Sequence, residues 1–161
     1  MTTVNTKHAE RRTLRFESLA DVVEDAARLT EADQAGTLRT TGNWSAGQNF
    51  DHVGKLMQWS IDGFPGKLPL PLRIVGKFMK KRALTTTAPP GFKIPGSASF
   101  LLPADIPTED GLGLLRTQVS RVQAGERCSH ASPLLGTLSH DEWVQLHCRH
   151  AELHFSFLHP E

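Results

Sequence analysis

The sequence predicts an all-α fold, a four-helix bundle with one short extra helix and a long Pro/Gly-rich loop. Three observations carry this. Apolar residues recur at helical spacing in four long segments. Three of these segments are introduced by capping-box patterns, Ser18 with Asp21, Ser45 with Gln48 and Ser139 with Glu142. No segment alternates as a half-buried strand would.

The first helix is expected from about Leu19 to Asp33, with Leu19, Val22, Val23, Ala26, Ala27 and Leu29 on its apolar side. The second starts after Ser45 and runs to about Asp62, where Gly63 and then Pro65 stop it. Leu72 to about Leu84 makes a third, short helix. Thr85 to Pro107 holds five prolines and reads as a loop, because each proline removes a donor that a helix needs. Loops this long often cover a site. Thr108 begins a further helix to about Ala124, weakened at its start by Gly111 and Gly113. The last runs from Ser139 to about Leu158.

The chain has 161 residues, 39% of them hydrophobic, which suits one domain over residues 13–161 behind a loosely held arm at 1–12. Its net charge of +1 lacks the basic footprint of a nucleic-acid binder. Lys80, Lys81 and Arg82 read as a solvated helix end. No apolar run approaches the roughly 20 residues of a membrane span, so no membrane partner is expected. Two cysteines, Cys128 and Cys148, are too few for a disulfide framework and are expected as reduced thiols. With a polar N-terminus, the expected location is the cytoplasm.

Four of the eight histidines fall in the last fifteen residues. On a wheel of about 100° per residue, His147, His150 and His154 share a sector of about 60° on the apolar side. His150 and His154 stand one turn apart, so both can reach one metal ion. The residue after His150 is Ala151 and not the glutamate of a zincin motif, which excludes that protease class. From the helix alone two readings stand open, a metal site or hydrogen-bonded core histidines. His52, mid-helix on a partly apolar stripe, reads by itself as an ordinary boundary histidine or as the third ligand. His147 is expected beside the site or in the core, and Gln48 either as a neighbour of the metal or simply as a cap. His8, His130, His140 and His159 are expected to be solvated. Trp44, Trp59 and Trp143 read as core. The thiol of Cys148 points away from the histidines. Nucleophile elbow, phosphate loop and dinucleotide fingerprint are all absent.

The stretch Gly42-Asn-Trp-Ser-Ala-Gly-Gln-Asn-Phe-Asp-His52 resembles the start of the second helix in DinB-like (YfiT-type) proteins, where a tryptophan and a capping serine precede a metal-binding histidine. The segment from Leu138 to His154 resembles that superfamily's last-helix His-x-x-x-His. Arg15-Phe-Glu-Ser-Leu19, Asp62-Gly-Phe-Pro65 and the Leu-Gly-Thr-Leu-Ser run are similar to a subfamily of uncharacterised bacterial proteins within it. The resemblance covers nearly the whole chain from about Arg11. It implies a DinB-like bundle in which His52, His150 and His154 hold one divalent ion, zinc or nickel, with open positions. It also implies frequent dimers, and thiol-dependent S-transferases and an isomerase among the relatives, hence a low-molecular-weight thiol as a second cofactor. Three functions follow as expectations: a metal-dependent transferase or hydrolase acting on a small molecule, a non-catalytic metal- or ligand-binding protein, or a plain helical interaction domain.

Overall fold

The computed structural model describes residues 3–161. Five helices dominate it: α1 (Leu19–Gln34), α2 (Ala46–Asp62), α3 (Leu70–Thr85), α4 (Thr108–Gln123) and α5 (His140–Phe155). Helices α1, α2, α4 and α5 pack together as the bundle, and α3 lies against α5.

All three capping boxes form. Ser18, Ser45 and Ser139 each accept from the backbone of the third helical residue, and the side chain of that residue returns to the cap N–H. Each box satisfies two backbone donors that have no partner within the helix. Gly63 ends α2 with φ +105°, a conformation that side-chain-bearing residues avoid. The α2–α4 crossing is close because both helices present glycine: a Cβ on Gly111 would stand 2.7 Å from the Gly47 carbonyl oxygen. The core is drawn from all four bundle helices, with Val22, Leu29, Phe50, Met57, Leu115 and Phe155 fully buried.

Several details differ from the sequence reading. The helix expected to be short, α3, is 16 residues long, as long as α1. Proline is tolerated in its first turn, and Lys77 to Leu84 are good helix formers. The last helix ends at Phe155 and not near Leu158, because Leu158–Pro160 (β2) pairs antiparallel with Leu38–Thr40 (β1). Leu158 is fully buried by this small sheet. His159, expected in solvent, is 9% exposed, with Nε2 3.3 Å from the Thr41 hydroxyl. His140 is not simply solvated either, since its Nδ1 accepts from the Cys128 N–H at 3.1 Å.

The chain between α3 and α4 contains only a kinked 3-10 turn at Gly96–Leu101. Of the arm expected at residues 1–12, residues 1 and 2 lie outside the described residues. The rest is tied down at several points. Val4 and Asn43 exchange two hydrogen bonds. Arg12 grips Asp25 through two nitrogens at 3.0 and 2.7 Å and donates to the Phe155 carbonyl. No helix among the described residues is long and apolar enough to cross a membrane.

Candidate metal centre

Helix α2 supplies His52, and α5 supplies His150 and His154 one turn apart. The helix crossing brings one nitrogen from each ring within 4.8 Å of the other two. The closest pair is His52 Nε2 and His150 Nε2, 3.2 Å apart. Ring centroids lie 4.5 to 4.9 Å apart across the trio.

The surroundings orient the rings. His52 Nδ1 stands 2.7 Å from the Leu101 carbonyl oxygen. A carbonyl can only accept, so Nδ1 carries the proton and Nε2 presents a bare lone pair toward the other histidines. This is the backbone support that metal-ligating histidines commonly have. Next to His52, the Asp51 carboxylate accepts from the Ala104 N–H at 2.7 Å and pairs with Lys55. Two successive side chains of α2 therefore pin the 101–104 stretch of the loop. Trp44 stacks on His154 at 5.2 Å, with planes 7° apart, and packs against His52 at 4.9 Å.

Burial disfavours the charged imidazolium at all three positions. It pushes His52 down to about 4. His150 and His154 are held well below the ordinary histidine value, chiefly by burial and then by the neighbouring imidazoles. At neutral pH the trio is uncharged, the state in which imidazole can ligate.

The residues fit a metal ion. Two nitrogens at 2.0–2.1 Å from a tetrahedral zinc stand about 3.3 Å apart, close to the His52–His150 separation. A direct hydrogen bond between the two rings would satisfy that distance too. Either arrangement leaves the buried His150 Nδ1 without a partner among the described residues. His154 makes no hydrogen bond among them. A shared cation gives all three lone pairs one purpose.

The trio lines a cavity of about 460 Å³. Its walls are mainly apolar, including Leu56, Met79, Phe92, Leu101, Leu146 and Leu153. No Asp, Glu or Cys lines it among the described residues. An ion here would have only neutral protein ligands and would favour an anion from solution in its open positions.

The other residues singled out from sequence are placed elsewhere. His147 is fully buried, with Nε2 3.1 Å from the Ser60 hydroxyl, and stacks on Trp143. It makes no hydrogen bond to the trio. The Gln48 side chain is taken up by the Ser45 cap. Cys128 lies under His147, 4.0 Å from its Nε2, and Cys148 is buried in the bundle core. Glu152 faces away from the histidines, as its helical position requires, but its side chain is buried. It accepts from the Phe16 N–H at 2.7 Å, pairs with Arg149 at 2.8 Å, and takes a hydrogen bond from the Thr87 hydroxyl.

Sequence reasoning missed two contributors. The Leu101 carbonyl carries no side-chain signal, and only the proline pattern of its loop marks the region. Trp44, read from its residue type as core, is in the motif that carries the resemblance.

No curated protein and no solved structure matches the chain. The family model described as "Protein of unknown function (DUF1569)" matches residues 8–161. That span holds the whole bundle, the loop and all three converging histidines, and so the chain belongs to the DUF1569 family.

Proposed function

We propose that this protein is a metal-binding member of the DinB-like type, in which His52, His150 and His154 hold one divalent ion, zinc or nickel, and that it is a metal-dependent transferase or hydrolase acting on a small apolar molecule. The observation that carries the reading is the convergence of three neutral imidazoles on one point in the wall of an apolar cavity. Three protein ligands leave coordination positions open, the pattern of catalytic and not structural sites. When bound, such an ion lowers the pKa of a thiol or a water and so supplies a nucleophile at neutral pH.

The chain's own residues supply the rest. Leu101 holds the His52 tautomer, and Trp44 holds the planes of His52 and His154. The apolar wall excludes water and selects an apolar substrate body. Because no cysteine lines the cavity, a thiol nucleophile must come from solution, which supports a low-molecular-weight thiol as co-substrate. The lack of any carboxylate there to act as general base favours, as the second reading, a non-catalytic binding protein.

The first test is metal content after tag-free purification and incubation with zinc or nickel. One ion per chain in the wild type and none in His150→Ala is the expected result. Wild-type protein that stays metal-free ends the proposal. Thiol-dependent turnover of a panel of electrophiles then separates the two readings. Metal binding without turnover selects the non-catalytic one.

A further inference from the structure

Charge is segregated along this chain. Residues 63–104 contain seven Lys and Arg and no Asp or Glu. The rest of the chain shares the other eleven basic residues with all seventeen acidic ones and is net negative. The basic segment is α3 with its flanking loops. It also carries nearly all the large apolar side chains left in solvent: Leu70, Ile74, Val75, Phe78 and Met79 on α3, and Phe92 and Leu102 beyond it. Phe78 is 86% exposed. Among the described residues, Lys80 is the one basic side chain of the segment in an ion pair, with Glu142.

On the helical wheel Ile74, Phe78 and Val75 span about 100°, with Lys77 and Lys81 at one edge and Arg82 between Phe78 and Val75. Gly76 faces the opposite way and is buried against the Leu134 backbone, which leaves the apolar stripe pointing outward. A helix with apolar side chains outward and lysines interleaved is the pattern that lies in a membrane interface, where the lysine stems run along the apolar surface and the charges reach the headgroups.

We infer that the α3 face, with the Phe92 loop beside it, docks on an anionic lipid bilayer. Two alternatives fit less well. A second copy in a two-fold dimer would set this face against itself and bring like charges together. Protein interfaces, moreover, are depleted in lysine at their centres. An anionic surface matches both the charge and the apolar stripe. Of the solvated helix end expected from Lys80, Lys81 and Arg82, Lys81 and Arg82 thus belong to a larger surface, while Lys80 turns to Glu142. Met79 and Phe92 also line the histidine cavity, so docking sets the cavity wall at the bilayer. The inference stands apart from metal binding, and the His150→Ala variant docks as well as the wild type.

The experiment is flotation of the full chain with vesicles of phosphatidylcholine alone and of phosphatidylcholine with phosphatidylglycerol. The protein floats with the anionic vesicles and not with the neutral ones, and added salt releases it. Lys77→Gln with Lys81→Gln lowers the partition about 25-fold, near fivefold for each charge removed. Phe78→Ser lowers it about tenfold or more through lost apolar burial. These side chains are exposed, and unchanged circular dichroism verifies the fold of each variant. Wild-type protein that ignores anionic vesicles, or binds neutral ones equally, overturns the inference. So does a dimer that Phe78→Ser dissociates while vesicle binding is absent, which assigns the face to a second copy.

Discussion

His147 lies on the same side of α5 as His150 and His154, yet its neighbours give it different chemistry. His147 meets Ser60, Trp143 and Cys128, and burial lowers its pKa to about 3. Between the ordinary value of 6.5 and about 3, the unfolded chain takes up a proton that the folded chain refuses. Stability at this residue is therefore complete above 6.5, falls as pH drops through that window, and levels off below it. His147→Phe keeps the volume and the stacking on Trp143 and removes this proton. Urea unfolding between pH 7 and pH 4 should show a shallower loss in the variant, by up to about 1.4 kcal/mol per pH unit. Equal slopes would mean that His147 is not buried as a neutral ring. For His52 the same burial, down to about 4, keeps the proton from competing with a metal until well below pH 6. Metal occupancy in a pH titration should accordingly fall with a midpoint below that of free imidazole. A midpoint at or above 6.5 would place the ion elsewhere. Trp44 offers an optical check, because it packs on two of the three rings. Nickel should quench its fluorescence in the wild type, and most of that quenching should vanish in Trp44→Phe.

At the scale of elements, α4 contains two glycines with opposite meanings. Gly111 sits where α4 crosses α2, and a methyl group there meets the Gly47 carbonyl oxygen at 2.7 Å. Gly113 has open space around its Cβ position within the same helix. Gly113→Ala should stabilise the protein by about 0.5–1 kcal/mol through helix propensity. Gly111→Ala should destabilise it, since backbone must move to admit the methyl group. Thermal unfolding of the two variants measures both signs, and two shifts in the same direction would contradict the crossing geometry. The helix starts were legible because a capping box is a local device: Ser18, Ser45 and Ser139 need only the residue three places on. The end of α5 was not, because its stop depends on Leu158–Pro160 finding a strand more than a hundred residues away. The length of α3 escaped for a related reason. Its outward apolar stripe does not mark a core face, so periodicity understated a helix that propensity supports.

Across the whole molecule, the cavity is assembled from α2, α3, α5 and the loops, with the histidines on its wall. A ligand that binds only the folded chain stabilises it by mass action. Zinc at a thousandfold excess over its dissociation constant should raise stability by about 4 kcal/mol. His150→Ala and His52→Ala should lose that increment and remain folded, because burying an uncharged trio is not what holds the bundle together. Differential scanning calorimetry with and without zinc gives the comparison. A zinc-induced rise that persists in both variants would place the stabilising ion elsewhere. A separate buried network centres on Glu152. Glu152 joins Phe16, Arg149 and Thr87, so Glu152→Ala leaves the Arg149 charge unpaired in the interior, with the Phe16 carbonyl as its remaining acceptor. The expected loss is about 3–5 kcal/mol, the range for a broken buried ion pair.

What the sequence determined by itself is what depends on near neighbours along the chain. That covers the helical character, the three capped starts, the stop at Gly63, and the i, i+4 spacing that puts His150 and His154 on one face. It also made His52 a candidate. It could not bring His52 to the other two, because that meeting is a property of the α2–α5 packing and of no local pattern. Tertiary structure likewise decided which nitrogen of His52 is bare, through a backbone carbonyl 49 residues away. It decided that His147 faces Ser60 and that Gln48 stays with its cap. It also decided that the apolar residues of α3 face solvent, which a sequence shows as hydrophobic without saying whether anything covers them. In each case the deciding partner is distant in sequence and adjacent only after the helices have packed.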